Sequence, residues 1–281
     1  MSVKLIAVDM DSTFLRTDKS YDKTRFLQQY AALKQRGIYF VAASGNPLYT
    51  LQYYFPEIAD EIAYVAENGV YVVDGQQELN FSHFDSELLR LILNDLYPDF
   101  AACMVLCGKQ QALISTAVAE QSLAKLSIYY KNLQRCEDVL ALQQPICKIT
   151  LNTKAEHEAA VLAQLAEKSY VQQHLVHVVS SGFGFIDLIL PNKHKAYGLR
   201  FLQQKWAIDS ANVLAIGDNY NDLQMVQQAG YGFAMDNAVD ALKQVAKYHA
   251  PSNDEDGVLA VIDWVLAAAK PWPLATTAES Y

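Results

Sequence analysis

Carboxylates stand in two tight pairs far apart in the chain, Asp9 with Asp11 and Asp218 with Asp222. Between them lie a Ser44-Gly45 turn and Lys195. Singly, each has an ordinary structural role: an aspartate after a strand caps a helix or shapes a turn, Ser44 caps a helix, and Lys195 sits in solvent. Brought to one edge of a sheet they have a different chemistry. The mutual repulsion of Asp9, Asp11 and Asp218 would then require protons or a cation, and oxygen ligands with no nearby His or Cys favour Mg²⁺. A hydroxyl and an ammonium at that edge complete an anion site, and the anion they indicate is phosphate.

The elements that must position these residues follow an alternating pattern. Residues 4–9 are a short apolar run ending in Asp9, as expected of a buried parallel strand that delivers a carboxylate at its C-terminal end. Residues 22–36 read as a helix closed by Gly37, and 38–43 as a strand leading into Ser44. A helix over 48–54, a strand over 62–66 and a hairpin through 67–73 continue the pattern. From about residue 84 the texture changes to mixed helices and strands. Lys195 then opens a helix, and 212–216 is a strand running into Gly217-Asp218.

This predicts an α/β fold: a Rossmann-like parallel-sheet core over residues 1–82 and 187–281, interrupted by an inserted α+β cap over 83–186. Ligands of open α/β sheets bind beyond the carboxyl ends of the strands, where Asp9, Ser44 and Asp218 fall. Residues 258–269 read as a closing helix and 270–281 as a tail. Ser180 to Gly184 reads as a hairpin turn.

The chain has 281 residues, 22 Lys and Arg against 31 Asp and Glu, and a net charge of −9. Such an acidic chain argues against a general nucleic-acid binder. With no secretory leader and no apolar run near 20 residues, export and membrane insertion are not expected. Cys103, Cys107, Cys136 and Cys147 show no metal-binding spacing and read as reduced thiols of a cytoplasmic protein. The six histidines read as surface or structural.

The ordered set Asp9-x-Asp11-x-Thr13, Ser44-Gly45, Lys195 and Gly217-Asp218-x-x-Asn221-Asp222 resembles the haloacid dehalogenase superfamily, in its Cof-type group of sugar-phosphate phosphatases with a type IIB-like cap. The stretches 194–198, 234–238 and 253–258 are similar too, so the resemblance covers nearly the whole chain. It implies a Mg²⁺-dependent hydrolase acting on small phosphorylated metabolites, with Asp9 as the nucleophile that becomes a phosphoaspartate. Asp11 would be the acid and base. The metal would be held by Asp9, the Asp11 carbonyl and Asp218, with Asp222 supporting its waters. Ser44 would bind the phosphate with help from the N–H groups near Met10 and Gly45. Lys195 would pair Asp9 with the transferring oxygens.

Asn221 and Asn237 would lie nearby, as loop-ordering or contacting groups. The cap would close over the strand edge, flexing near 82–85 and 185–188. Two departures stand out: Ser12 replaces a common glycine at a position expected to have positive φ, and Asn46 replaces a common arginine. A phosphomutase of the same superfamily, or a non-catalytic module that binds a phosphorylated ligand, are the alternative readings.

Overall fold

The computed structural model describes residues 2–182 and 184–267. The strands are β1 (Leu5–Val8), β2 (Tyr39–Ala43), β3 (Ala63–Ala66), β4 (Tyr71–Asp74), β5 (Gln77–Phe81), β6 (Met104–Gly108), β7 (Ala112–Ser115), β8 (Leu133–Cys136), β9 (Ile146–Asn152), β10 (His177–Gly182), β11 (Phe185–Ile189), β12 (Val213–Gly217), β13 (Tyr231–Met235) and β14 (Tyr248–Ala250). The helices are α1 (Lys23–Gln35), α2 (Leu48–Tyr54), α3 (Ser86–Phe100), α4 (Glu120–Tyr129), α5 (Glu158–Ala166), α6 (Ser169–Gln172), α7 (Lys195–Trp206), α8 (Leu223–Gln228), α9 (Asp240–Val245) and α10 (Gly257–Ala267). The expected tail at 270–281, the last two residues of the expected closing helix and Phe183 of the expected turn lie outside the described residues.

Two compact units form. Among the described residues, the first comprises 2–45, Ile58–Leu79 and 194–267; the second comprises Asn46–Glu57 and the described part of Asn80–Lys193. In the first, eight strands take the order β14-β13-β12-β1-β2-β3-β4-β5. The six from β14 to β3 are parallel, and β4 turns back antiparallel on β3. Strands β1, β2 and β12 are nearly continuous apolar runs buried throughout, apart from Tyr39, as a sheet covered on both faces requires. From β1 the chain steps one way to β2 and β3, and from β12 the other way to β13 and β14. Right-handed crossovers in these two directions put α1 and α8 on opposite faces. The junction of β1 and β12 is therefore the topological switch point, where the strand ends leave a crevice.

The second unit is a six-stranded sheet in the order β10-β11-β9-β6-β7-β8, antiparallel except for β7 with β8. Its core joins Leu89, Ile92, Leu93 and Leu96 of α3 to Leu106, Ile149, Leu151, Ile186 and Leu188 of the sheet. Helix α3 starts where the Asp85 carboxylate accepts from the N–H groups of Glu87 and Leu88.

The division differs from the sequence-based boundaries in three places, the smallest being the first boundary, drawn at 82/83 and found after Leu79. The boundary drawn at 186/187 falls inside β11, which pairs with β9 on one side and β10 on the other, so the return to the first unit comes at His194. The hinge expected at 185–188 is accordingly an interior strand. Helix α2, a crossover by sequence order, belongs to the second unit: Thr50 Oγ1 donates to the Tyr129 carbonyl (2.8 Å) and Lys131 Nζ lies 4.9 Å from the Tyr53 ring centre. The cysteines are free thiols, and burial pushes that of Cys103 up to about 11. No helix among the described residues is long and apolar enough to cross a membrane.

Candidate active site

Asp9 follows β1 and Asp218 follows β12, which puts their carboxylates side by side at the switch point. Lys195, the first residue of α7, is fully buried beneath them. Its ammonium donates to Asp9 Oδ1 (2.5 Å) and to Asp222 Oδ1 (2.7 Å). His194 fixes where that helix begins, its Nδ1 accepting from the Tyr197 N–H (3.2 Å), a structural role as expected. The other Asp222 oxygen accepts from the N–H groups of Asp218 and Asn219, both at 3.1 Å. Asp222 thus folds the loop that carries Asp218 as well as adding charge. Thr13 Oγ1 donates to Asp218 Oδ1 (3.0 Å), a contact for the motif threonine that sequence reading left without a task.

One ammonium among three carboxylates leaves an excess of negative charge where water is scarce. Burial raises the Asp9 carboxyl well above the ordinary range; Lys195 opposes the shift, and Asp222 and Asp218 add to it. Asp218 is pushed up to about 6 by burial and by Asp222. For Lys195, burial favours the neutral amine, but Asp222 and Asp9 outweigh it and hold the ammonium above the usual lysine value. Carboxylate oxygens of Asp9, Asp218 and Asp222 all lie within 4.8 Å of one another. The donor set is hard oxygen alone, and a divalent cation would relieve the strain that raises Asp9 and Asp218, so the residues fit such an ion.

The other expected residues are placed as follows. Asp11 is two residues beyond Asp9, and its carboxylate is outside that cluster, accepting from Lys19 Nζ at 2.6 Å. Met10 is buried. Its carbonyl accepts from the N–H groups of Leu15 (2.9 Å) and Thr13 (3.4 Å), which curls the first loop. Ser44, at the end of β2, is buried, and its N–H donates to the Val65 carbonyl (2.9 Å). Gly45 follows it. Asn221 donates from Nδ2 to Asn68 Oδ1 (3.1 Å).

Ser12 adopts a left-handed conformation, φ 59°, the conformation its position in the loop led one to expect. Asn237 Nδ2 holds its carbonyl (2.8 Å), while Asn237 Oδ1 accepts from the Asn253 N–H (3.0 Å). Asn237 is therefore a loop-ordering residue. Lys19 and Asn68 escaped the sequence reading: Lys19 lies in an irregular segment, and Glu67-Asn68-Gly69 carries only the signal of a turn.

Residues 6–262 match the haloacid dehalogenase-like hydrolase family. Among curated proteins, the chain is 41% identical over 272 residues to the 5-amino-6-(5-phospho-D-ribitylamino)uracil phosphatase YbjI of Escherichia coli K12, covering 97% of this chain and 99% of that protein. It is 25% identical to a phosphatase of the same description, YitU of Bacillus subtilis 168, over 90% of this chain and 94% of that one. Among solved structures, a Streptococcus mutans UA159 protein superposes with a TM-score of 0.86 at 34% identity, covering 95% of this chain and all of that one. The HAD subclass IIB sugar phosphatase BT4131 shares the fold, with a TM-score of 0.76 at 18% identity over 94% of this chain and 99% of that one.

Proposed function

The chain belongs to the haloacid dehalogenase-like hydrolases and is a phosphatase of that family; on that premise we propose that it is Mg²⁺-dependent and hydrolyses a phosphorylated sugar or sugar alcohol through a phosphoaspartate. The observation that carries this reading is the position of Lys195, which ties Asp9 to Asp222 at the strand ends beside Asp218. The substrate put forward is 5-amino-6-(5-phospho-D-ribitylamino)uracil. Its support is the 41% identity, over almost the full length of both chains, to a phosphatase named for that compound.

In this reading one Asp9 carboxylate oxygen attacks phosphorus, a P–O bond to the aspartyl group forms, and the ester P–O bond breaks. Asp11 gives its proton to the departing alkoxide. A water then attacks the phosphoaspartate, Asp11 takes up a proton from it, and inorganic phosphate leaves with Asp9 restored as carboxylate. Lys195 keeps Asp9 oriented and offsets the charge that gathers on the transferring oxygens. Ser44, with the N–H groups near Met10 and Gly45, binds those oxygens, and Asn221 flanks them. Asp9, Asp218 and the Asp11 carbonyl would hold Mg²⁺, with Asp222 behind them. The ion supplies positive charge that lets the anionic nucleophile approach an anionic ester. The four free thiols support a reducing, cytoplasmic setting.

The test is phosphate release from the ribitylaminouracil ester, a panel of sugar phosphates and an aryl phosphate, with and without Mg²⁺. The parent is compared with Asp9→Asn. Sustained release that needs the metal and is lost in Asp9→Asn is the expected result. Transfer of the phosphoryl group back to a sugar, with no net release, would assign a mutase instead, and metal-independent release would overturn the Mg²⁺ assignment.

A further inference from the structure

Three consecutive residues, Glu67, Asn68 and Gly69, have positive φ (51°, 56° and 100°), and all three are buried. Left-handed conformations at two successive non-glycine residues are costly and persist only where the surroundings enforce them. Here the surroundings are loops of the proposed site. The Asn68 N–H donates to the Ser44 carbonyl (2.9 Å), and Asn68 Oδ1 accepts from Asn221 Nδ2 (3.1 Å). The Asn68 amide also lies along Gly45, so closely that a β-carbon there would stand 3.2 Å from both Nδ2 and Oδ1. Next along the chain, Gly69 touches the first turn of α7: a β-carbon on it would come within 2.1 Å of the His194 carbonyl oxygen. A single short turn thus touches the loop after β2, the loop after β12 and the helix that begins with Lys195.

We propose that Asn68 is a positioning residue for phosphate binding: its amide and N–H set the spacing between Ser44-Gly45 and Asn221, between which the anion is held. The inference rests on the phosphatase reading above. Asparagine suits this task because its side chain tolerates the left-handed conformation and offers an acceptor to Asn221 from there. A residue that merely stabilised the fold would not need to meet two anion-binding loops with separate groups.

The test uses Asn68→Gly, which keeps the left-handed backbone accessible and removes only the amide, with Asn221→Ala and the double variant. Melting temperature monitors the fold. The readouts are kcat and KM for an aryl phosphate and the affinity for inorganic phosphate by calorimetry. The expected result is a melting temperature near the parent's, with KM and phosphate affinity both weakened about tenfold or more, and a double variant no worse than the poorer single one. Parent-like KM and phosphate affinity in Asn68→Gly would overturn the inference while leaving the phosphatase reading intact, as would losses that simply add in the double variant. A variant that melts far below the parent would also overturn it, because Asn68 would then act on the fold. Failure of the parent itself to release phosphate from any ester would remove the reading and the inference together.

Discussion

Lys195 in the first unit and Lys148 in the second are both buried, and both have an aspartate partner, yet their surroundings differ in charge. Lys195 serves Asp9 and Asp222, with Asp218 close by. Lys148 Nζ stands 3.9 Å from Asp187, a single carboxylate whose oxygens also accept from Thr150 Oγ1 (2.6 Å) and Ser181 Oγ (2.7 Å). Tyr130 in turn donates to Thr150 (3.1 Å). Hydroxyls and one cation satisfy the second cluster, so it is complete as it stands. The first is short of positive charge, and that shortage suits a site that takes up a cation and does chemistry. Buried charge alone therefore does not mark function; the balance of charge separates a structural pair from a reactive one.

The sharpest way to break this contrast is to remove one carboxylate from each cluster. Asp9→Asn is expected to lower turnover by more than about 10³-fold, while the melting temperature holds or rises because an overcharged cluster has lost a charge. Asp187→Leu is expected to cost about 3–5 kcal/mol of stability by removing the buried carboxylate that faces Lys148 and accepts from Thr150 and Ser181. The double replacement Lys148→Met with Asp187→Leu should recover most of that loss. Denaturant titration of Asp187→Leu, Lys148→Met and the double variant checks this, and an additive double variant would show that the pair is not a unit.

A third expectation concerns pH. Asp218 titrates near 6 in the folded protein against an ordinary value of 3.8, so without metal the fold carries an extra proton between those values. Its contribution to stability is full below about 4 and is lost as pH rises through 6. A cation reverses this by favouring the ionised form, so the rise in melting temperature produced by Mg²⁺ should be larger at pH 7 than at pH 5. Thermal melts at both pH values, with and without the ion, decide it; an equal rise would separate Asp218 from metal binding.

The smallest effect is expected at Ser12, whose left-handed backbone strains the first loop. Ser12→Gly should stabilise the protein by about 0.5–1 kcal/mol, the relief of strain less the extra chain entropy of glycine. Urea unfolding measures it.

The motif carriers were legible because an open parallel sheet puts its functional residues in the loops that follow its strands. Asp9, Ser44 and Asp218 each come directly after, or one residue beyond, a run of apolar residues. The parts that were not legible depend on pairing rather than on local pattern. Lys148 and Asp187 meet only because β9 and β11 align Thr150 with Asp187, a register no local window contains. Strand β13 went unremarked because Gly232 and Ala234 dilute its apolar run, and β14 is only three residues long. Asn68 was hidden by an Asn-Gly step that reads as an ordinary turn.

The contact between Asp9 and Lys195 joins residues 186 positions apart, with the whole second unit made in the interval. At ribosomal speeds of 5–20 residues per second, that interval is about 10–40 s. Throughout it β1 is synthesised but has no β12 to pair with, while the six-stranded sheet becomes complete as a separate folding unit. The nascent protein therefore carries Asp9 from the start but assembles the cluster around it only near the end of translation, so a chain released early, before residue 222, lacks the complete cluster.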